Sequence, residues 1–346
     1  MRVDRMCLVI GGGLVIALLL LAACGEGRAV GPPPVALYAT AAAAGNGRPM
    51  TPAFPEASPP MPPGSMTPIA PAIAPPATAS LPVNVTQAPA SQVDQAVLAT
   101  QMLDLINRDR AEVGLGPVVW DDTAARAGAR HAADMIARSF FSHWNPDGFG
   151  PDHRYSAAGG VHVARENLYT FSLTFEDGRG VPIDDWSAVI ERAEAELMNS
   201  PGHRANILDP AHSHVGIGMA YNAATGQFRL AQEFTNHHVE LDIPLPSEAR
   251  PGEALRVMGV FGPAVQGGGI LDLAHEPFPA PLSPAELSAR SAYISAAQSA
   301  GDGRAIGPVF DETITLPATP GLYHLRLFVD LASGQAQVLD HVISVR

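Results

Sequence analysis

Apolar side chains recur at three- and four-residue steps in three stretches of the chain, and each stretch predicts a helix. Leu98, Met102, Leu105 and Ile106 share one face of the first, from Asp94 to about Val113, which Gly114 ends. Asp121, Asp122 and Thr123 offer capping oxygens to the second, where Ala124, Met135 and Ile136 turn toward a core. The third opens near Asp184 or Asp185 and carries Trp186, Val189, Ile190, Ala193 and Leu197. The period then shortens. His214–Ala220 and Phe228–Phe234 read as short strands, so three helices, a small sheet and long loops fill this part.

After Glu240 strand patterns take over. Ala254–Val260, Ile270–Leu273 and Tyr323–Val329 alternate or run apolar, and Ser333-Gly334 reads as a hairpin turn into Gln337–Leu339. Ser283-Pro284-Ala285-Glu286 has capping-box spacing, so a short helix interrupts the strands. Residues 240–346 are expected to form a second domain, a small all-β sandwich of the immunoglobulin-like kind. The chain as a whole is expected in the α+β class.

Before Asp94 neither period appears. Two arginines stand within Met1–Arg5, Met6–Ala23 is uncharged and mostly apolar, and Leu21-Ala22-Ala23-Cys24-Gly25 follows. That ending resembles a bacterial lipobox, so residues 1–23 are expected to be a lipoprotein-type signal peptide and Cys24 the lipidation site. An uncleaved spanning anchor and a plain secretory signal are the alternatives. Residues 24–92 are rich in Pro, Ala, Thr and Ser and are expected to be a disordered tether. The protein is thus expected in the cell envelope, lipid-anchored and facing out of the cytoplasm, with the membrane as a partner through Cys24. Cys7 and Cys24 are the two cysteines, which leaves no disulfide in a mature chain. The net charge is -13, with arginine for every fixed cation and no basic patch, and this argues against a nucleic-acid partner.

Three segments hold the candidate chemistry. Phe140–Gly148 (FFSHWNPDG) brings His143, Arg165-Glu166-Asn167-Leu168 brings Glu166, and Ser200–Leu208 (SPGHRANIL) brings His203. Two neutral imidazoles and a carboxylate are the ligand set of a zinc site with an open position. They serve equally as an acid/base pair in which the carboxylate orients an imidazole, or as a hydrogen-bonded structural network. His143 and His203 are the candidate metal ligands, and Glu166 is the candidate general base. No His-Glu-x-x-His, Gly-x-Ser-x-Gly or P-loop is present to supply a standard alternative.

Together these segments resemble the signature of the CAP superfamily (cysteine-rich secretory, antigen 5 and pathogenesis-related 1 proteins; SCP-like) in its bacterial form, roughly from Asp94 to Asn236. The resemblance implies an α-β-α sandwich over residues 93–239. It also implies a central cleft lined by His143, Glu166 and His203, where some members hold a divalent metal. Three positions depart from the pattern: Arg165 stands for glycine, Leu197 for tryptophan and Ser200 for a second glutamate. Glu196 reads as part of a solvated helix face. Arg154 and Arg204 are expected to clamp loops, Asn167 to bond backbone, and Asn145–Gly148 to turn. His212 and His214 would face one side of a solvated strand edge, and His237-His238 would be exposed.

The expected function is a membrane-anchored extracytoplasmic binding module for a lipid, peptide or envelope component. No cofactor is demanded, and zinc or another divalent cation is the candidate. A metal-assisted hydrolase of envelope or extracellular material is the alternative. An adhesion or scaffold protein acting through the β-sandwich is a third.

Overall fold

The computed structural model describes residues 94–346, apart from residues 291 and 302. The expected signal peptide, Cys24 and the tether lie outside the described residues. Among the described residues no helix is long and apolar enough to cross a membrane.

The three helices predicted from apolar spacing are capped at or beside their expected starts, by Asp94, Asp121 and Asp185. In α1 (Gln95–Glu112) the Asp94 side chain accepts from the Ala96 amide, and Leu98, Met102 and Ile106 are buried. In α2 (Asp122–Ala137) Asp121 accepts from the amides of Thr123 and Ala124. Between them lies β1 (Val119–Trp120), and after α2 come a short α3 (Pro151–Ala157) and β2 (Ala164–Ser172). The sequence pattern did not announce β2, because Arg165-Glu166-Asn167 interrupts its apolar alternation. The third predicted helix is α4 (Trp186–Asn199), followed directly by a short α5 (Pro201–Ile207). The strands β3 (His214–Asn222) and β4 (Gln227–Thr235) complete a sheet of order β1-β3-β4-β2, with β2 at its edge.

The sheet buries both faces. Val215, Ile217 and Met219 of β3 and Phe228, Leu230 and Phe234 of β4 pack with Met102 and Ile106 of α1 and Ile190 and Leu197 of α4. Each such side chain, fully buried, contributes about 1.5–3 kcal/mol. The other face holds α2, whose Ala132 and Met135 meet Leu168 and Ala231. This helix lies so close that a Cβ at Gly216 or Gly218 would fall 2.0 Å from the backbone nitrogen of Ala125 or Ala129. Glycine is what lets α2 rest on β3.

The C-terminal region holds β5 (Val239–Leu241), β6 (Glu248–Ala249), β7 (Ala254–Phe261), β8 (Gly269–Glu276), α6 (Pro284–Ala289), β9 (Gln298–Ser299), β10 (Arg304–Ile306), β11 (Val309–Thr315), β12 (Gly321–Leu331) and β13 (Gly334–Val345). One sheet runs β10-β8-β12-β13-β6, with β9 on β8, and a second runs β11-β7-β5. Val257, Phe261 and Phe310 from the second share a buried cluster with Leu325, Leu327, Val338 and Leu339 from the first. The Ser333-Gly334 turn joins β12 to β13 with Leu331 opposite Gly334.

Packing continues across the position where the second domain was expected to begin. Ala211 belongs to the C-terminal cluster. His162 forms a bridge with Leu339 in β13. The Asp340 amide donates to the Val161 carbonyl at 3.2 Å, and the Val342 amide donates to Ser156 Oγ at 3.1 Å.

Candidate functional site

Glu166 and Asn167 are neighbours on the edge strand β2, so they point to opposite faces of the sheet. Each holds a different segment of the candidate site. On the α2 side, the His143 ring meets Glu166, with Nδ1 to Oε1 at 2.8 Å. On the other side, the Asn167 amide donates to the backbone carbonyl of His203 at 3.1 Å and to Gln232 Oε1 at 3.0 Å, and it accepts from Asn206 at 3.0 Å. The edge strand therefore brings the His143 loop and the α5 helix together from opposite faces.

Arg154 holds the first segment. Its guanidinium donates to Glu166 Oε2 at 2.6 Å and to the carbonyls of His143 at 2.7 Å and Phe149 at 3.1 Å. This is the clamp expected of it. Arg204, the other expected clamp, is exposed on α5. Glu166 is 1 % exposed, and burial alone would favour its neutral form. Arg154, His131 and His143 outweigh burial and hold the carboxyl well below the usual carboxylate range.

Both Glu166 oxygens are thus occupied. With Nδ1 turned to the carboxylate, His143 keeps Nε2 without a hydrogen-bond partner among the described residues, on a side chain 19 % exposed. That lone pair is the atom the cleft presents. Glu166, the candidate general base, engages the imidazole through Nδ1 and has its other oxygen on Arg154. The His203 ring is half-buried, and burial followed by the nearby His143 lowers its proton affinity. His143, Glu166 and His203, the expected ligand set, do not form a trio whose ligand atoms all lie within 4.8 Å of one another among the described residues.

Two residues the sequence analysis did not single out stand behind Glu166. Glu233 is its direct partner across β2 and β4 and is fully buried, and neither carboxyl oxygen has a hydrogen-bond partner among the described residues. Burial and then the adjacent Glu166 charge push its proton affinity well above the ordinary value, against the pull of Arg154. The pair holds one negative charge. His131 on α2 donates through Nε2 to the Ser142 carbonyl at 2.9 Å, and burial, then Arg154, lowers its pKa to about 4. Its place on the buried face with Ala124, Ala127, Ala132 and Met135 was readable from helical spacing. The juxtaposition of Glu233 with Glu166 was not, since it needs the sheet register.

The departures from the family pattern have structural counterparts. Arg165, where glycine is usual, donates to Gln337 in β13 at 3.0 Å and lies 3.6 Å from Asp152, so it ties the edge strand to the C-terminal region. Leu197 is in the core, and Glu196 pairs with Arg192 on the solvated face of α4 at 2.7 Å. Other histidines differ from expectation. His212 lies before β3 and is buried between Asn206 and Asn236, while His214 stacks on His237 with ring centroids 3.7 Å apart. Backbone outside the strand breaks the alternation, so the two do not share an edge. His237 and His238 are half-buried, bonded to Asp121 and to the Ala211 carbonyl.

One trio among the described residues places its ligand atoms all within 4.8 Å of one another: His153, Glu276 and His324. It sits where α3 meets the C-terminal sheet. The Gly150 amide at the start of α3 donates to His153 Nδ1 at 3.0 Å, which leaves Nε2 protonated and donating to Glu276. With that nitrogen carrying hydrogen, the trio reads as a hydrogen-bonded clamp instead of a metal cage. His324 lies between Glu276 at 3.2 Å and Asp340 at 2.6 Å. Burial opposes its charge, yet Asp340 and Glu276 raise its pKa to about 9.

Part of the chain is similar to known proteins. Residues 103–234 match the family model CAP, the cysteine-rich secretory protein family. YkwD of Bacillus subtilis (strain 168) is 29% identical over 144 residues, covering 41% of this chain and 49% of that protein. The membrane protein YlbC of the same organism is 27% identical over 135 residues, covering 39% of this chain and 35% of that protein. The chain thus spans about half the length of one relative and about a third of the other. Among solved structures, an extracellular protein containing an SCP domain from Bacillus anthracis is 26% identical, with a TM-score of 0.31 over 41% of each chain. The match to the CAP family model spans residues 103–234, a stretch that includes His143, Glu166 and His203.

Proposed function

We propose that this chain is an exported, membrane-anchored binding protein whose CAP cleft captures a lipid, peptide or envelope component. One observation carries the reading. The cleft presents the His143 Nε2 lone pair, while both oxygens of Glu166 are spent on His143 and Arg154 below it. Such a site has an atom for capture, and its carboxylate is already engaged by two donors. The relative from Bacillus anthracis is described as extracellular, which accords with an exported chain. Lipidation of Cys24 and a tether over residues 24–92 would give the cleft reach from a membrane. Residues 93–239 are read as the CAP α-β-α sandwich and residues 240–346 as an immunoglobulin-like sandwich. The helices on both faces of the first sheet and the core shared by the C-terminal sheets support these readings.

The test is binding of fatty acids, phospholipids, short peptides and envelope glycans to the full chain, beside a His143→Ala/His203→Ala double variant. One ligand class lost in the variant, without turnover, supports the reading. Turnover lost in the variant would install the hydrolase instead, and binding unchanged in the variant would move the function to the β-sandwich. Acyl labelling beside Cys24→Ser checks the anchor: label is expected on the wild type alone.

A further inference from the structure

The chain between β8 and β9 is pinned along the loop that carries His143. The Leu282 amide donates to the Pro146 carbonyl at 2.8 Å, and Ser142 Oγ donates to the Leu287 carbonyl at 3.3 Å. The Arg290 guanidinium lies 4.6 Å from the centroid of the Trp144 ring, and Trp144 Nε1 donates to the Ala292 carbonyl at 2.6 Å. Gly148 fits this strap twice over. Its φ is 83°, and a Cβ there would come within 2.6 Å of the Ala280 carbonyl oxygen. Five points along the strap therefore fix the next residue, Tyr293. Its ring centroid stands 5.1 Å from that of His143 at an interplanar angle of 43°.

We propose that Tyr293 is a binding residue of the His143 cleft, so that the C-terminal region completes a site begun by residues 103–234. The inference rests on the cleft being a binding site, as proposed above. Glu166 draws Nδ1 inward, which leaves Nε2 at the opposite edge of the imidazole, and Tyr293 packs on that same ring. A ligand would meet the uncommitted His143 nitrogen on one side and an aromatic face with a hydroxyl on another. Its complement is a hydroxyl or N–H group carried on a flat, weakly polar body. Arg165, the departure from the family's glycine, ties β2 to the same C-terminal region through Gln337.

Diethyl pyrocarbonate acylates accessible, unprotonated imidazole nitrogens, and peptide mass spectrometry of the full chain reads the rate at His143 against the other histidines. Tyr293→Ala is expected to raise that rate severalfold, and Tyr293→Phe, which keeps the ring, to leave it at the wild-type value. Gly148→Ala, which displaces the strap without altering Tyr293, is expected to raise it as well. A wild-type rate at His143 in both Tyr293→Ala and Gly148→Ala overturns the inference. Failure of every candidate ligand to shield His143 in the wild type would count against the binding reading and leave these rates untouched.

Discussion

The cleft and the junction between the two regions are built from the same residue types and do opposite things. At the cleft, His143 leans on a carboxylate already neutralised by Arg154, and one ring nitrogen stays uncommitted on a partly exposed side chain. At the junction, His324 is fully buried between Asp340 and Glu276, with both ring nitrogens engaged. A histidine–carboxylate pair is therefore not a functional signature by itself. What decides is the rest of the carboxylate's company. A guanidinium shares Glu166 with His143 and leaves one ring nitrogen uncommitted, whereas two carboxylates on the His324 ring hold the proton there and make a clamp.

Three experiments would break or sharpen this contrast. The largest effect is expected from Arg154→Met. It leaves Glu166 buried beside Glu233 with His143 as its one hydrogen-bond partner among the described residues, and chemical denaturation should show a loss of about 3–5 kcal/mol. A near-neutral result would mean that Glu166 does not depend on Arg154 for its charge.

Next comes the pH dependence of the junction. His324 titrates near 6.5 when unfolded and about 9 when folded. Its contribution is complete below about pH 6.5 and is lost as pH rises through about 9. Asp340, Glu276, His153, Asp152 and Arg326 face it. Between pH 6 and pH 10 the wild type should lose on the order of 2–3 kcal/mol more than His324→Gln. Parallel melting curves for the two across that range would deny the imidazolium.

The smallest effect is expected at Glu233. A carboxyl that is already neutral resembles an amide, so Glu233→Gln should change stability by less than about 1 kcal/mol. Glu166→Gln, which strands the Arg154 cation, should cost more than Glu233→Gln in the same assay. Equal losses would place the negative charge on both glutamates.

Much of the scaffold was legible in order along the chain. The apolar spacing of Leu98, Met102 and Ile106, and of Trp186, Ile190, Ala193 and Leu197, gave the helices that cover one face of the sheet. The Ser283 capping box gave α6. The Asn145–Gly148 turn appears with Gly148 at positive φ. Strand β2 was hidden because its polar opening serves the cleft and the junction instead of the core. Strand β11 was hidden because it lies at a sheet edge, where Glu312 interrupts Phe310 and Ile314 on its inner face.

Local periodicity by itself determined which faces of the elements are buried, and the motif residues marked His143, Glu166 and His203 as chemistry. Those properties depend on residues a few positions apart, which a sequence displays directly. Only the tertiary structure decided what surrounds each group. Glu233 stands against Glu166 through strand register, Arg154 reaches both from a separate helix, and Tyr293 arrives at His143 from outside the family match. Protonation and access are set by neighbours within a few ångströms, whatever their distance along the chain. A period reports the face on which a side chain lies, and docking decides what that face meets.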